Sequence, residues 1–435
     1  MSRLDKYFEI SKHRSTVKTE LMAGITTFLT MAYIVVVNPA ILSASGMPKE
    51  DVFFATCVSS AIATLIMGLW AKFPFALAPG MGLNAFFAYT VCGMQKVPWP
   101  QALAVVLISG LLFLLLSLFG IRQRILAAIP ETLSRAAAGG IGLFIAFIGL
   151  QHAGIVAPDD VTMVTLGNLH DTSTLIATAG LLLTVVLVAA KIPGALLAGI
   201  LVTAVVAMTG GQAPAPESLL SAPSLPSETL GAAVTALPEV FTASMAVTIF
   251  TFLFLDLFDT VGTLLALGTA VGAVRPDGSL PRADRAFAAD AGGTIIGSLL
   301  GSSTVTSYIE SASGVSSGGR TGLTAVVVAV LFLLALPFGP VAASIPQIAT
   351  APALIVVGAY MMAVAGKINW NDPVRAVPAL ATILIMPATY NISNGLGAGF
   401  ILYVLANAAA GRFHKVNWIL CLVAALFVIF FILVP

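Results

Sequence analysis

Apolar residues in this chain come in long, nearly unbroken runs, and the spacing of the polar interruptions predicts the architecture. Runs of membrane-crossing length fall at residues 21–42, 52–71, 74–94, 101–120, 135–151, 174–190 and 193–210. A Pro- and Ser-rich loop follows, and seven more runs lie at 242–268, 286–301, 302–318, 321–337, 350–366, 374–391 and 395–410. A last apolar run, Trp418 to Val434, is either an extra span or a helix lying against the bundle. The pattern predicts an all-α polytopic membrane protein of about 14 transmembrane segments.

The basic residues test this count. With the N-terminus in the cytoplasm, all 20 Lys and Arg except Lys49 and Lys96 fall on the cytoplasmic side, including Lys72, Arg122, Arg124, Lys191, Arg320 and Arg412. One miscounted span would reverse every later loop and destroy that bias. Seven spans per half also inverts the second half relative to the first, as in many secondary transporters. Weak internal similarity agrees with two halves: IPGALLAGILVTAVVAMTGG (192–211) aligns with ISNGLGAGFILYVLANAAAG (392–411) at Ile, Leu, Ala, Gly and the final Gly. Small residues that favour close helix packing in lipid give an alternative reason for the shared pairs. The expected layout is a cytoplasmic N-terminus (1–20), a first seven-span repeat (21–210), an extracytoplasmic loop (211–238), a second repeat (239–411) and a C-terminal apolar helix (412–435). The opening residues carry no signal-peptide pattern, so the first span is expected to direct its own insertion.

The third segment of each half is broken. FALAPGMGLNAFFA (75–88) places Pro79, Gly80 and Gly82 in mid-span with Asn84 just beyond. Proline removes a backbone donor and glycine loosens the chain, so a continuous helix is not expected there. GSSTVTSYIESASGVSSGG (301–319) holds seven Ser, two Thr and Glu310, too polar to face lipid. Irregular backbone at membrane depth survives only where protein or a water-filled cavity satisfies it. Half-helices starting after Gly82 and near Ser307 would aim free N–H groups, with Asn84 and Glu310, at one pocket near the midplane. A pair of packing kinks, with Asn84 as a helix cap, is the plainer alternative.

The eighth segment adds TFLFLDLFDTVGTLLALG (251–268), where Asp256, Asp259, Thr260 and Thr263 stand at helical offsets on one polar stripe. A carboxylate at the bilayer centre costs roughly 2.5 to 3.5 kcal/mol, so Asp256, Asp259 and Glu310 are expected to face a polar cavity. Two carboxylates so close do not both ionise easily, which gives a proton a place to enter and leave. One aspartate of the pair serves the fold instead if it only accepts hydrogen bonds from a neighbouring span. Asp290, near the cytoplasmic end of its span, reads as a cap or interfacial residue.

Composition narrows the function. The chain is 58% hydrophobic and 9% charged, with a mean hydropathy of +1.02, which leaves no soluble domain over. Cys57, Cys92 and Cys421 are scattered, as are the four histidines, so no metal site is expected. A net charge of +1 gives no pointer to an acidic partner, and no nucleic-acid partner is expected. With carboxylates and amides but no embedded Lys or Arg, the pocket suits a neutral or cationic ligand rich in N–H donors. Phe86 and Tyr308 either stack a flat ring or pack the core.

The strings APGMGLNAFFAYTV (78–91), DLFDTVGTL (256–264), SSTVTSYIESASGVSSGGRTGLTAV (302–326) and MPATYNISNGLGAGF (386–400) resemble the azaguanine-type purine permeases. These are the hypoxanthine, guanine and adenine branch of the nucleobase and ascorbate transporters. The opening GITTFLTMAYIVVVNPAIL (24–42) is similar too, so the resemblance covers essentially the whole chain. It implies two inverted repeats with short strands in broken spans 3 and 10. It also implies a core domain (21–120 plus 242–337) and a gate domain (135–210 plus 350–410). By motif, Asp256 and Glu310 would hydrogen-bond the purine ring, beside Asn84, Gly82, Phe86 and Tyr308, with Asp259, Thr260 and Thr263 supporting recognition or proton coupling. The implied protein has no enzymatic activity and no cofactor, with the proton as coupling ion. It is implied to be a homodimer through the gate domain, held by lipid in the inner (plasma) membrane. Asn391 stands where a hydroxyl residue is expected and Phe86 where tyrosine is commoner, which leaves the base preference open. Permeases of the same fold for uracil, xanthine or an anion, and less favoured a channel or a membrane enzyme, are the rival readings.

Overall fold

The computed structural model describes residues 3–118, 130–275 and 279–433. The expected cytoplasmic charges Arg122 and Arg124, the domain ends at residues 1, 120 and 435, and the centre of the basic loop lie outside them. Among the described residues fourteen segments traverse the bundle. Span 1 comprises Val17–Met31 and Ile34–Leu42, and span 2 runs Lys49–Ile66, prolonged by Met67–Ala71. Span 3 is strand β1 (Leu77–Pro79) followed by helix Met81–Ala85, which continues as a wider helix over Phe86–Met94. Span 4 is Trp99–Leu118 and span 5 is Glu131–His152. A hairpin of β2 (Val156–Asp159) and β3 (Met163–Leu166) leads to span 6, Thr172–Ala189, and span 7, Ala195–Thr209. In the second repeat span 8 is Ala243–Ala270 and span 9 is Ala283–Leu300. Span 10 is strand β4 (Val305–Ser307) with helix Ser311–Ser316, and span 11 is Gly322–Ala335. Spans 12, 13 and 14 are Gln347–Met362, Pro373–Ala388 and Ile392–Ala409, and a C-terminal helix, Trp418–Leu433, packs on span 14.

Helix neighbours repeat with the halves exchanged. Span 2 packs on span 11 as span 4 packs on span 9, span 1 on span 11 as span 4 on span 8, and spans 6 and 7 pair as spans 13 and 14 do. Spans 5 and 12 cross backbone to backbone at Gly142 and Gly358, where a Cβ on either residue would run into the carbonyl of the other. Such reciprocal contact is what a twofold axis between inverted repeats produces, and small residues make the close approach possible in lipid. Spans 1–4 and 8–11 form the core domain and spans 5–7 and 12–14 the gate domain. The two meet mainly where span 1 touches spans 7 and 12 and where span 3 touches span 5.

Three features depart from the hydropathy reading. The first apolar run is not one helix: it turns at Ala32 and Tyr33, at a depth where the pattern gives no interruption. The polar β2–β3 hairpin after span 5 was not visible as alternation. The tenth segment does not begin a helix near Ser307; that residue ends β4, and the helix starts at Ser311.

Candidate functional site

Strands β1 and β4 pair antiparallel at the centre of the core, in the register Leu77↔Ser307, Ala78↔Thr306 and Pro79↔Val305. Two flanking backbone bonds, Gly80 N–H to Thr304 O (3.0 Å) and Tyr308 N–H to Ala76 O (2.9 Å), are exchanged by the twofold. Proline and serine do not favour a sheet; pairing is enforced because broken backbone at membrane depth must bond to protein. Each strand is held by a threonine from the preceding span. Thr64 in span 2 accepts the Leu77 N–H (2.9 Å) and donates to the Leu77 carbonyl (3.1 Å). Thr294 in span 9 accepts the Val305 N–H (3.2 Å) and lies 3.2 Å from the Val305 carbonyl. These equivalent residues were not singled out from sequence, where threonines in apolar runs are unremarkable.

Glu310 stands immediately before the short helix of span 10, makes no capping bond to it, and is only partly covered. Its Oε1 accepts a hydrogen bond from Tyr33 Oη at 2.8 Å. Tyr33 sits at the turn that breaks span 1, so the unforeseen break serves to aim a hydroxyl at the carboxylate. Tyr308 is buried and donates to the Pro79 carbonyl (2.6 Å), tying the two broken spans together. Asp259 is exposed, and Glu310 is within its electrostatic reach. Glu310 and Asp259 therefore lie toward one open side of the broken spans, with the Tyr33 hydroxyl buried against Glu310.

The polar stripe of span 8 resolves into two columns. Asp259 and the half-buried Thr263 lie on the more open one, while Asp256 and Thr260 are fully buried. Asp256 Oδ2 lies 3.1 Å from the Thr294 hydroxyl, and its Oδ1 has no protein partner. At 0% exposure Asp256 is enclosed by protein in this conformation. Thr260 donates to Asp290 Oδ1 (2.7 Å) and lies 3.2 Å from the Thr306 hydroxyl. Asp290 is neither a cap nor interfacial. It is completely buried within span 9, where Oδ2 accepts both the backbone N–H (2.7 Å) and the hydroxyl (2.8 Å) of Ser307. Its place in the chain misled because span 9 packs its second turn on β4.

Asn84 is equally enclosed. Its Nδ2 donates to Asn38 Oδ1 (2.6 Å) and its Oδ1 accepts from the Ser303 hydroxyl. Asn38 in turn donates to Thr56 Oγ1 (2.8 Å) and Ser302 Oγ (3.1 Å), so one amide pair joins spans 1, 2, 3 and 10. The sequence signal for this network is Asn38, a polar residue inside the first apolar run. Phe86 is buried against Phe252 of span 8, with centroids 4.9 Å apart, which makes it core packing here and leaves no free face for a flat ligand. Among the described residues no three His, Cys, Asp or Glu side chains are grouped to hold a metal ion.

Gly82 marks where core meets gate. A Cβ there would collide with Cγ2 of Ile141 on span 5. Gly82→Val is expected to weaken uptake by ~10-fold or more, since overpacking costs about 1–3 kcal/mol. Adding Ile141→Ala should recover most of it in a cell uptake assay. Failure of the second change to help would show that the glycine acts through the backbone alone.

Comparison with known proteins places the chain. The Permease family sequence model matches residues 18–433. A protein of Methanocaldococcus jannaschii named as a permease is 49% identical over 99% of both chains. The guanine/hypoxanthine permease PbuG of Bacillus subtilis is 43% identical over 98% of this chain and 99% of its own. The adenine permease AdeP of Escherichia coli is 39% identical, over 98% and 95% respectively. Among solved structures, the transmembrane domain of a cyanobacterium bicarbonate transporter, BicA, superposes with a TM-score of 0.63 over 88% of this chain and 97% of that one. At 16% identity that likeness speaks for the fold alone. The family match over nearly the full length, the permease relatives and the inverted core-and-gate architecture agree: the chain belongs to the Permease family and is a multi-pass membrane transporter, not an enzyme.

Proposed function

We propose that this chain takes up purine bases, hypoxanthine, guanine and adenine, together with a proton. The observation that carries the reading is the meeting of Glu310, bonded by the buried Tyr33 hydroxyl, with the exposed Asp259 beside the paired strands. A purine offers ring and exocyclic N–H donors, and two carboxylates with no nearby Lys or Arg are matched to donors, not to an anion. In this reading Glu310 accepts from the base and Tyr33 orients it. Asp259 is the second acceptor or the proton carrier. Asp256, Asn84, Thr260 and Tyr308 hold the broken spans in place, Phe86 packs behind them, and Gly82 leaves room at the gate. Names of the relatives support purines over uracil.

Transport would proceed by an elevator-like movement of the core against the gate, which the sparse contacts between the two support. The protein would sit in the plasma membrane with its N-terminus in the cytoplasm and form homodimers through the gate. Labelled hypoxanthine uptake in a transport-deficient host, competed by each nucleobase in turn, tests the substrate. Competition by guanine and adenine is expected, and competition by uracil alone would overturn the assignment. In proteoliposomes an inward proton gradient should raise the initial rate several-fold, and indifference to the gradient would remove the proton from the scheme.

A further inference from the structure

An apolar cavity of about 280 Å³ opens between spans 1, 2, 7 and 11, away from the carboxylates. Phe28, Val35, Leu197, Leu201 and Leu334 form much of its wall, and none of its lining residues is polar. Rim residues Leu201, Leu334 and Phe338 are 39%, 62% and 51% exposed, so the cavity opens on the outside of the bundle. It continues the seam between core and gate: Gly194, just before span 7, lies so close to span 1 that a Cβ would stand 3.3 Å from the Leu29 carbonyl.

The inverted repeat supplies a counterpart to this seam, between spans 8 and 14. Thr16 and Thr242 cap spans 1 and 8 in the same way, each accepting the N–H three residues on. Counted from these caps, Phe28 and Phe254 hold the same place. The alignment of residues 192–211 with 392–411 sets Leu197 opposite Gly397. In the second repeat the seam is filled. Phe254 meets Phe400 edge-on at 5.2 Å, Phe400 stacks on Phe427 of the C-terminal helix at 6.0 Å, and Phe427 and Phe431 lie 2.8 and 2.7 Å from where a Gly397 Cβ would stand. After span 7 no such helix follows: residues 210–231 run as an irregular loop, bonded at Ser221 to the Pro337 carbonyl beside the rim.

We propose that the acyl chain of a membrane phospholipid occupies the cavity between spans 1, 7 and 11, in the place that Phe427 and Phe431 take in the second repeat. Water has no partners on such a wall, whereas hydrocarbon satisfies it by contact alone. The inference is independent of which base is carried.

The full chain is reconstituted in vesicles of phosphatidylethanolamine and phosphatidylglycerol containing a phosphatidylcholine with a diazirine at the middle of one acyl chain. After irradiation, labelled peptides are mapped by mass spectrometry. Labelling around Phe28–Val36 or Leu197–Leu201 should exceed that of Leu182 and Val186, exposed residues of span 6, by about tenfold, the ratio given by about 1.4 kcal/mol of preference. Ala335→Trp, which fills the cavity, should reduce labelling to the span 6 level with an unchanged melting temperature. Leu201→Phe serves the same purpose if the tryptophan does not fold. Equal labelling of cavity and span 6 in the wild type, or labelling that persists in a folded filled variant, overturns the proposal. So would cross-linking of Leu334→Cys between two copies, which would seat a second chain there.

Discussion

Glu310→Gln is expected to lower saturable purine uptake by about tenfold or more while leaving insertion and folding intact. Glutamine keeps the shape of the side chain, and its carbonyl still accepts the Tyr33 hydroxyl, so the turn in span 1 survives; the short helix of span 10 takes no capping bond from this side chain. What disappears is the charged acceptor. Hydrogen bonds to charged groups contribute about 1.5–3 kcal/mol, so losing one costs about 10- to 150-fold in kcat/KM. Loss of an ionisable group from the opening should lower it further if the proton shares that path. Tyr33→Phe removes only the neutral donor and should cost about tenfold or less. The measurement is initial uptake of labelled hypoxanthine over a concentration series, normalised to protein in the membrane. Wild-type kinetics for Glu310→Gln would remove the residue from the site.

Asp290→Ala should have the largest effect on stability. Three donors converge on that carboxylate: the Thr260 hydroxyl and the Ser307 N–H and hydroxyl. All are buried, and each donor left without a partner costs about 1–3 kcal/mol. The sum exceeds what most single substitutions cost, and it falls on β4, which is otherwise held by β1, Thr294 and the Thr260–Thr306 hydroxyl contact. Heating the detergent-solubilised variant and following the folded fraction by size exclusion should show a much lower midpoint than wild type. Asp256→Asn makes the contrast, because its one bonded oxygen keeps Thr294 and its other has no protein partner to lose. An Asp290→Ala protein as heat-resistant as Asp256→Asn would mean that β4 is held by pairing alone.

Most of the architecture was readable in sequence because lipid imposes simple requirements: long apolar runs, charge on one side, and polar breaks only where protein covers them. Those requirements located both broken spans and the carboxylates, down to Glu310 and the Asp256–Asp259 segment. They did not reveal which carboxylate faces outward, since residues three apart on one helix differ only in the neighbour they meet. Asp256 meets Thr294 and Asp259 meets the opening. Nor did they give Tyr33, whose tyrosine is as acceptable in an apolar run as any aromatic, or Asp290, whose position near a loop suggested solvent. Contacts between distant spans decide these cases, and hydropathy is blind to them.

The two threonine clamps differ in a way that matters. A hydroxyl has one hydrogen to give. Thr64 spends it on the Leu77 carbonyl without competition, whereas the hydrogen of Thr294 has two claimants, the Val305 carbonyl and Asp256. A charged Asp256 would be the stronger acceptor of that hydrogen, and a neutral one the weaker. The first clamp is thus committed to its strand and the second is divided between its strand and an acid, an inequality hidden inside an otherwise symmetric scaffold.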